Sequence, residues 1–403
     1  MHIVREISPQ IFWVGGSDRR LERFENLFPL PNGIAYNSYL ILDEKTALID
    51  TADASISALF MNNITHVLNG RPLDYLIINH MEPDHCANLE EVIRRNPGVQ
   101  VVGNKKTIQL FKQFYSLDIS DKCLEVKEGE ELSLGRHLLS FYAMPMVHWP
   151  EVMCTYEKTQ GILFSADAFG SFGALCGNLF VDELDFENLF LDESRRYYAN
   201  IVGKYGMQVQ AALKKLSCLD IRMICALHGP IWRQNLSYIL EKYDQWSRYA
   251  PEKDGVVLLY ASMYGNTENA VSALANKLGE RGVTDMRMYD VSKTHPSFII
   301  SDVWKYSHMV LASPTYNLNL YYPMDALLRE MAALGLKNRK AAILGCHSWA
   351  SAAVREMKTL VCSMKNMELI GDKPIDICST LKSEREAELD TLADAICASL
   401  EQN

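Results

Sequence analysis

The chain has 403 residues, of which 48% are apolar and 22% charged, with a formal net charge of −10. That length exceeds what one hydrophobic core usually fills, so two domains are expected, and the composition excludes disordered and collagen-like classes. Both halves are acidic, which argues against a nucleic-acid partner, because a phosphate backbone would be repelled. No apolar run approaches the roughly 18 residues that a membrane span needs, and Met1-His2-Ile3-Val4-Arg5 leads into strand-like sequence rather than a signal peptide. A soluble, cytoplasmic protein with no membrane partner is the expectation. Ten cysteines are scattered singly without a C-x-x-C pair. They read as reduced, mostly buried thiols, and their spacing excludes a C-x-x-C iron or zinc module within the chain.

Through the first half, strand-like runs deliver a polar residue at their ends. The run Tyr75-Leu76-Ile77-Ile78-Asn79 leads into His80-Met81-Glu82-Pro83-Asp84-His85, which packs four potential ligands into six residues. Three more follow apolar runs: His148 after Phe141 to Val147, Asp167 after Ile162 to Ala166, and His228 after Met223 to Leu227. Taken singly, each later residue reads equally well as a buried histidine or a helix N-cap. Taken together, His80, Glu82, Asp84, His85, His148, Asp167 and His228 are four imidazoles and three carboxylates that would repel and destabilise a core unless cations satisfied them. That set exceeds what one four- to six-coordinate ion takes, so two metals bridged by a carboxylate are predicted.

A polar helix-like stretch, Leu236 to Arg248, runs into Tyr249-Ala250-Pro251-Glu252-Lys253-Asp254-Gly255, where the domain boundary is placed, giving residues 1–250 and 251–403. Beyond it, strands Val256 to Tyr260, Met309 to Ala312 and Ala341 to Leu344 alternate with helix-length segments. That order predicts right-handed crossovers and a parallel sheet. The turn Ser262-Met263-Tyr264-Gly265-Asn266-Thr267 opens onto a helix N-terminus and suits a phosphate, yet it is neither a Walker A loop nor a G-x-G-x-x-G fingerprint. Ser313-Pro314-Thr315-Tyr316-Asn317 and Cys346-His347-Ser348-Trp349-Ala350 follow the next strands, where the ligand crevice of such sheets lies. Tyr316 and Trp349 are candidates to flank a flat aromatic ring.

The His80-x-Glu82-x-Asp84-His85 motif with His148, Asp167 and His228 resembles the flavodiiron branch of the metallo-β-lactamase fold. The words around the later ligands, His148-Trp149-Pro150-Glu151, Phe164 to Gly170 and His228-Gly229-Pro230-Ile231-Trp232, are similar to that family's signatures. The three loops of the second half resemble flavodoxin, which binds FMN. Where flavodiiron relatives often show Gly-Ser-Tyr-Gly-Trp-Ser-Gly, this chain has Gly345-Cys346-His347-Ser348-Trp349-Ala350-Ser351. The resemblance implies an N-terminal metallo-β-lactamase-like αββα sandwich followed by a flavodoxin-like doubly wound parallel sheet.

The resemblance also implies two iron ions, one on His80, Glu82 and His148, the other on Asp84, His85 and His228, with Asp167 bridging; the family does not always use the His85 position as a direct ligand. Glu82 stands where hydrolytic members carry histidine and bind zinc, and an added carboxylate favours iron. Reduced FMN and two ferrous ions together hold the four electrons that take O2 to water, and the same assembly can reduce two NO to N2O. A separate electron donor such as rubredoxin and a head-to-tail homodimer, or a dimer of dimers, are implied as well. Two alternatives stay open: a dizinc hydrolase with a flavodoxin-like accessory domain, and a non-enzymatic flavin electron carrier.

Overall fold

The computed structural model of the protein describes residues 1–371 and 373–402. It divides into two units, Met1–Tyr198 with Met207–Asp244, and Ala199–Gly206 with the residues from Gln245 onward.

The first unit carries two main sheets. One has seven strands in the order Arg5–Ser8, Ile11–Trp13, Tyr39–Leu42, Thr46–Ile49, Tyr75–Ile77, Gln100–Gly103 and Cys123–Glu125, antiparallel at its start and parallel from Thr46–Ile49 onward. The other has five, Glu131–Ser133, Leu138–Ala143, Met153–Glu157, Ile162–Phe164 and Met223–Cys225. The central strands Tyr39–Leu42, Thr46–Ile49 and Ile162–Phe164 are almost continuously apolar because both of their faces are covered. Tyr39 of the first sheet meets Phe164 of the second at 5.2 Å between ring centroids, which places the core between the sheets. Helix Ser57–Leu68 buries Phe60, Met61, Ile64, Val67 and Leu68, an i, i+3, i+4, i+7 stripe.

The second unit is a parallel sheet in the order Met286–Asp290, Lys253–Tyr260, Tyr306–Tyr316, Arg339–His347 and Met367–Leu369, with Ile375–Cys378 also pairing along Arg339–His347. This is the 2-1-3-4-5 order of a flavodoxin-like sheet. Alternate residues Val256, Leu258, Val310, Ala342 and Leu344 join a core with Ala270, Val271 and Leu274 of helix Asn266–Glu280 and Leu389, Leu392 and Ile396 of helix Glu386–Leu400. Two strands run further than their apolar stretches predict. Ser313 pairs with Gly345 and Pro314 with Cys346, and Thr315 then pairs with Leu320 in a short hairpin, so the expected loop from Ser313 is strand as far as Tyr316 and the one from Cys346 as far as His347.

All ten cysteines are unpaired, but only Cys86, Cys154, Cys225 and Cys346 are buried, while Cys176, Cys218, Cys362 and Cys378 are exposed. The expectation of mostly buried thiols fails because several sit on turns and outer helix faces, where nothing packs over them. Among the described residues, no helix is long and apolar enough to cross a membrane.

Arg339 is buried at the start of its strand and donates only to backbone carbonyls, those of Val303 (2.8 Å), Trp304 (2.7 Å) and Tyr249 (2.7 Å) among them. Arg339→Met leaves these carbonyls without their donor, and the second unit is expected to lose about 3 kcal/mol in chemical denaturation.

Candidate functional site

The site of the first unit is built where buried strands end. Beyond Tyr75–Ile77 the chain is held by Asp50, whose Oδ1 accepts from the backbone N–H groups of Asn79 (2.7 Å) and His80 (3.2 Å). Glu82 then takes the extended N-cap conformation and Pro83 opens the short helix Pro83–Cys86, so Asp84 and His85 fall on its first turn. Asp167 follows strand Ile162–Phe164 and His228 follows Met223–Cys225, strands that pair in parallel and deliver their ends side by side. Asn37 locks the second of these ends by donating to the carbonyls of Ala226 and Gly229, each at 2.9 Å.

The structure brings all seven predicted residues together, in two groups that share Asp167. In the first group, His80 Nε2 lies 3.2 Å from both Glu82 Oε2 and Asp167 Oδ2, and His148 Nε2 lies 2.9 and 3.1 Å from the same two oxygens. In the second, His85 Nε2 lies 3.1 Å from Asp84 Oδ2 and from Asp167 Oδ1, and His228 Nε2 lies 3.1 Å from Asp84 Oδ2. The two oxygens of Asp167 thus face different groups. His85 Nε2 and His228 Nε2 stand 3.0 Å apart, a spacing that two imidazole nitrogens with lone pairs turned inward tolerate only around a shared cation.

Every one of these side chains is buried. Among the described residues, both oxygens of Asp84 and of Asp167 lack a hydrogen-bond partner. Burial alone would lower the histidines and raise the carboxylates, but the cluster overrides it. Asp84 and Asp167 push His85 up to about 10, Asp167 and Glu82 push His148 up to about 9, and Asp167, Glu151 and Glu82 hold His80 well above its ordinary range. The histidines in turn hold Glu82, Asp84 and Asp167 below the carboxylate range. With protons as the only cations available, the pocket demands positive charge at its centre. Two divalent ions supply it, and the donor set fits them: each group offers two imidazoles, one carboxylate of its own and one oxygen of Asp167.

Several further residues support the ligands, and of them only Glu151 lies within a signature, His148-Trp149-Pro150-Glu151. Glu151 Oε1 accepts from His80 Nδ1 at 2.8 Å and from Met81 N at 3.0 Å, and the Ala35 carbonyl accepts from His228 Nδ1 at 2.8 Å. Both bonds fix the tautomer that leaves Nε2 free for a metal. Phe24 packs edge-on to His228 at 5.4 Å and Tyr197 lies 5.5 Å from the same ring. The Tyr197 hydroxyl is buried without a hydrogen-bond partner among the described residues; burial, then Asp167 and Asp84, keeps it protonated. Although Glu25 is exposed as a residue, burial of its carboxyl group and then the hydrogen bond to Glu82 push it up to about 8. Periodicity could not find Glu25, because it sits in the left-handed region (φ 51°) at the tip of the Arg23–Phe24 and Phe28–Pro29 hairpin.

In the second unit, the three predicted loops lie at the carboxyl ends of neighbouring strands. Gly265 takes φ 90° and its N–H donates to Ser262 Oγ at 3.1 Å, turning the chain into helix Asn266–Glu280. No side chain caps that helix, and the space where a Cβ of residue 265 would stand is open. Thr315 Oγ1 accepts from the N–H groups of Ala352 (2.9 Å) and Ala353 (3.0 Å), tying the loop around Ser313 to Asn317 to the one holding Cys346 to Ala350. Around this crevice Tyr264, Trp349 and Tyr316 are 91%, 79% and 48% exposed. Aromatic surface gathered at strand ends beside an uncapped helix N-terminus fits a phosphate-bearing flat ring.

The "ODP family beta lactamase" model matches residues 34–229 and the flavodoxin model residues 258–365. The chain is 31% identical over 395 residues to an anaerobic nitric oxide reductase flavorubredoxin of Aeromonas hydrophila, covering 96% of this chain and 77% of that one. Among solved structures, it is similar to rubredoxin oxygen:oxidoreductase of Desulfovibrio gigas, with a TM-score of 0.92 and 27% identity over 99% of both chains. It is similar also to the flavodiiron protein of Giardia intestinalis, with a TM-score of 0.92 and 25% identity over 99% of this chain and 98% of that one.

Glu151→Ala removes the acceptor that orients His80. A chelator-competition titration is expected to show metal affinity reduced 10- to 100-fold, with the fold unchanged by circular dichroism.

Proposed function

The chain belongs to the flavodiiron protein family, and on that premise we propose that it reduces O2 to water, NO to N2O, or both, at a non-haem diiron centre. FMN in the second unit relays the electrons, which come from a separate carrier such as rubredoxin. The observation that carries this reading is Asp167, whose two oxygens serve two different groups of imidazoles and carboxylates in a chain that also holds a flavodoxin crevice. A dizinc hydrolase would use both groups too, but it has no use for a flavin crevice, and the Glu82 carboxylate in the first group favours iron over zinc.

On this reading, His80, Glu82 and His148 hold one iron and Asp84, His85 and His228 the other, with Asp167 between them. When bound, the irons supply electrons and open positions for a diatomic molecule, and FMN restores the electrons spent. The protein's own residues do the rest. Glu151 and the Ala35 carbonyl keep His80 and His228 in the tautomer that offers Nε2. Phe24, Phe172 and Tyr197, whose rings contact one another, wall the His228 side against water. Tyr197 Oη holds a proton in that dry wall. Ser262, Gly265 and the first turn of helix Asn266–Glu280 would hold the FMN phosphate, and Tyr316 and Trp349 would contact the ring. The family resemblance supports a head-to-tail homodimer as the working form.

The test is to quantify iron and flavin, reduce the protein fully, and mix it rapidly with O2 and, separately, with NO. About two irons and one FMN per chain, with reoxidation by at least one of the two gases, is expected, and the faster gas is the preferred substrate. Zinc in place of iron, or reduced protein inert to both gases, contradicts the proposal.

A further inference from the structure

One cluster of reactive side chains is left unused by the reading above. At the carboxyl end of strand Arg339–His347, the Nδ1 of His347 lies 2.9 Å from Asp376 Oδ1, and the Ser351 hydroxyl donates to Asp376 Oδ2. The pairing register of this strand with Ile375–Cys378 sets Gly345 opposite Asp376 and His347 opposite Cys378. Gly345 makes the contact possible. A Cβ there would stand 2.8 Å from Asp376 Oδ1 and collide with Val354 Cγ2, so any other residue displaces the carboxylate. Arg385 secures Asp376 from behind, donating to its carbonyl oxygen at 2.6 Å while pairing with Glu388. The titratable and charged groups near His347 are Asp376, Arg385, Glu388 and the thiols of Cys346 and Cys378, and helix Ala353–Ser363, whose Val354 packs against Gly345, adds Arg355 and Glu356, which pair with each other, and Lys358. Only Asp376 binds the ring, and Nε2 of His347 has no partner among the described residues.

An imidazole that donates Nδ1–H to a carboxylate keeps a basic Nε2, and the carboxylate stabilises the imidazolium that forms when Nε2 takes a proton. Protonation of any neutral imidazole paired with a carboxylate takes the pair from a charge of −1 to zero. A flat ring that receives two electrons and one proton passes from zero to −1. His347 is the last residue of strand Arg339–His347, at the head of one of the three loops around the crevice, and Asp376 lies on the strand beside it, so the two changes would offset each other at one end of the sheet.

Resting on the FMN reading above, we propose that His347, oriented by Asp376, sets the electron affinity of the flavin by taking up a proton as the ring is reduced. The two electrons come from the reductant, and both protons, the one on the ring and the one on Nε2, come from solvent. Asp376 acts through His347 and is a positioning residue.

The test is the two-electron midpoint potential of bound FMN in the holoprotein, read by dye-equilibrated dithionite titration, together with the affinity for oxidised FMN. Wild type, His347→Ala and His347→Gln are compared, the glutamine variant guarding against a loop that misfolds in the alanine one. We expect His347→Ala to bind oxidised FMN within about threefold of wild type but reduced FMN about tenfold more weakly, a fall of about 30 mV for a two-electron couple. His347→Gln, which cannot become cationic, falls in the same direction. Potentials unchanged in both flavin-loaded variants overturn the proposal. So does equal weakening of oxidised and reduced FMN, which marks a packing role. Wild-type protein that binds no FMN removes the proposal together with the reading it rests on, and that outcome is distinguishable because it appears before any substitution is made.

Discussion

The constraint on which the first unit turns is the burial of three carboxylates among four imidazoles around Asp167. Unsatisfied, such a group is among the more destabilising things a core can hold, since each charge has left water without gaining a fixed partner. The surrounding structure positions three of its members, His80, His85 and His228, from outside, while both oxygens of Asp84 and of Asp167 have no other partner among the described residues. Glu151 holds His80, the Ala35 carbonyl holds His228, the Asp50 carboxylate holds the backbone at Asn79 and His80, and Thr51 donates to the His85 carbonyl at 2.6 Å. These contacts place the three imidazoles before any ion arrives, which favours binding with little rearrangement of the histidines.

The two units answer different physical problems by one device, the end of a buried strand. In the first, strand ends deliver charged ligands to a dry centre; in the second, they deliver hydroxyls, open backbone N–H groups and exposed aromatic rings to a crevice. Tyr264 and Trp349, 91% and 79% exposed, would be an unusual outlay of aromatic surface on a finished protein face. They make sense around a flat ring.

Much of this was legible in the sequence, and the reasons are specific. Four ligand types within six residues from His80 to His85 have no bland explanation, and His148, Asp167 and His228 each follow an apolar run long enough to be a buried strand. What escaped was set by tertiary contact rather than by spacing. Glu151 belongs to the His148-Trp149-Pro150-Glu151 signature, but its bond to His80 spans 71 residues. Glu25 reaches Glu82 only because a hairpin turns left-handed at its tip. Asp376 meets His347 through a strand pairing that depends on Gly345 lacking a side chain. Strand ends were also misjudged, since Ser313 to Tyr316 and Cys346 to His347 are polar or mixed in composition yet continue the ladder through register with their neighbours.

The central claim is that Asp167 joins two ions into one centre, and Mössbauer spectroscopy with magnetisation on iron-reconstituted protein tests it most directly. The account predicts about two irons per chain behaving as a spin-coupled pair, with the coupling lost in Asp167→Ala. A single iron per chain, or two irons that are magnetically independent in the unaltered protein, contradicts it.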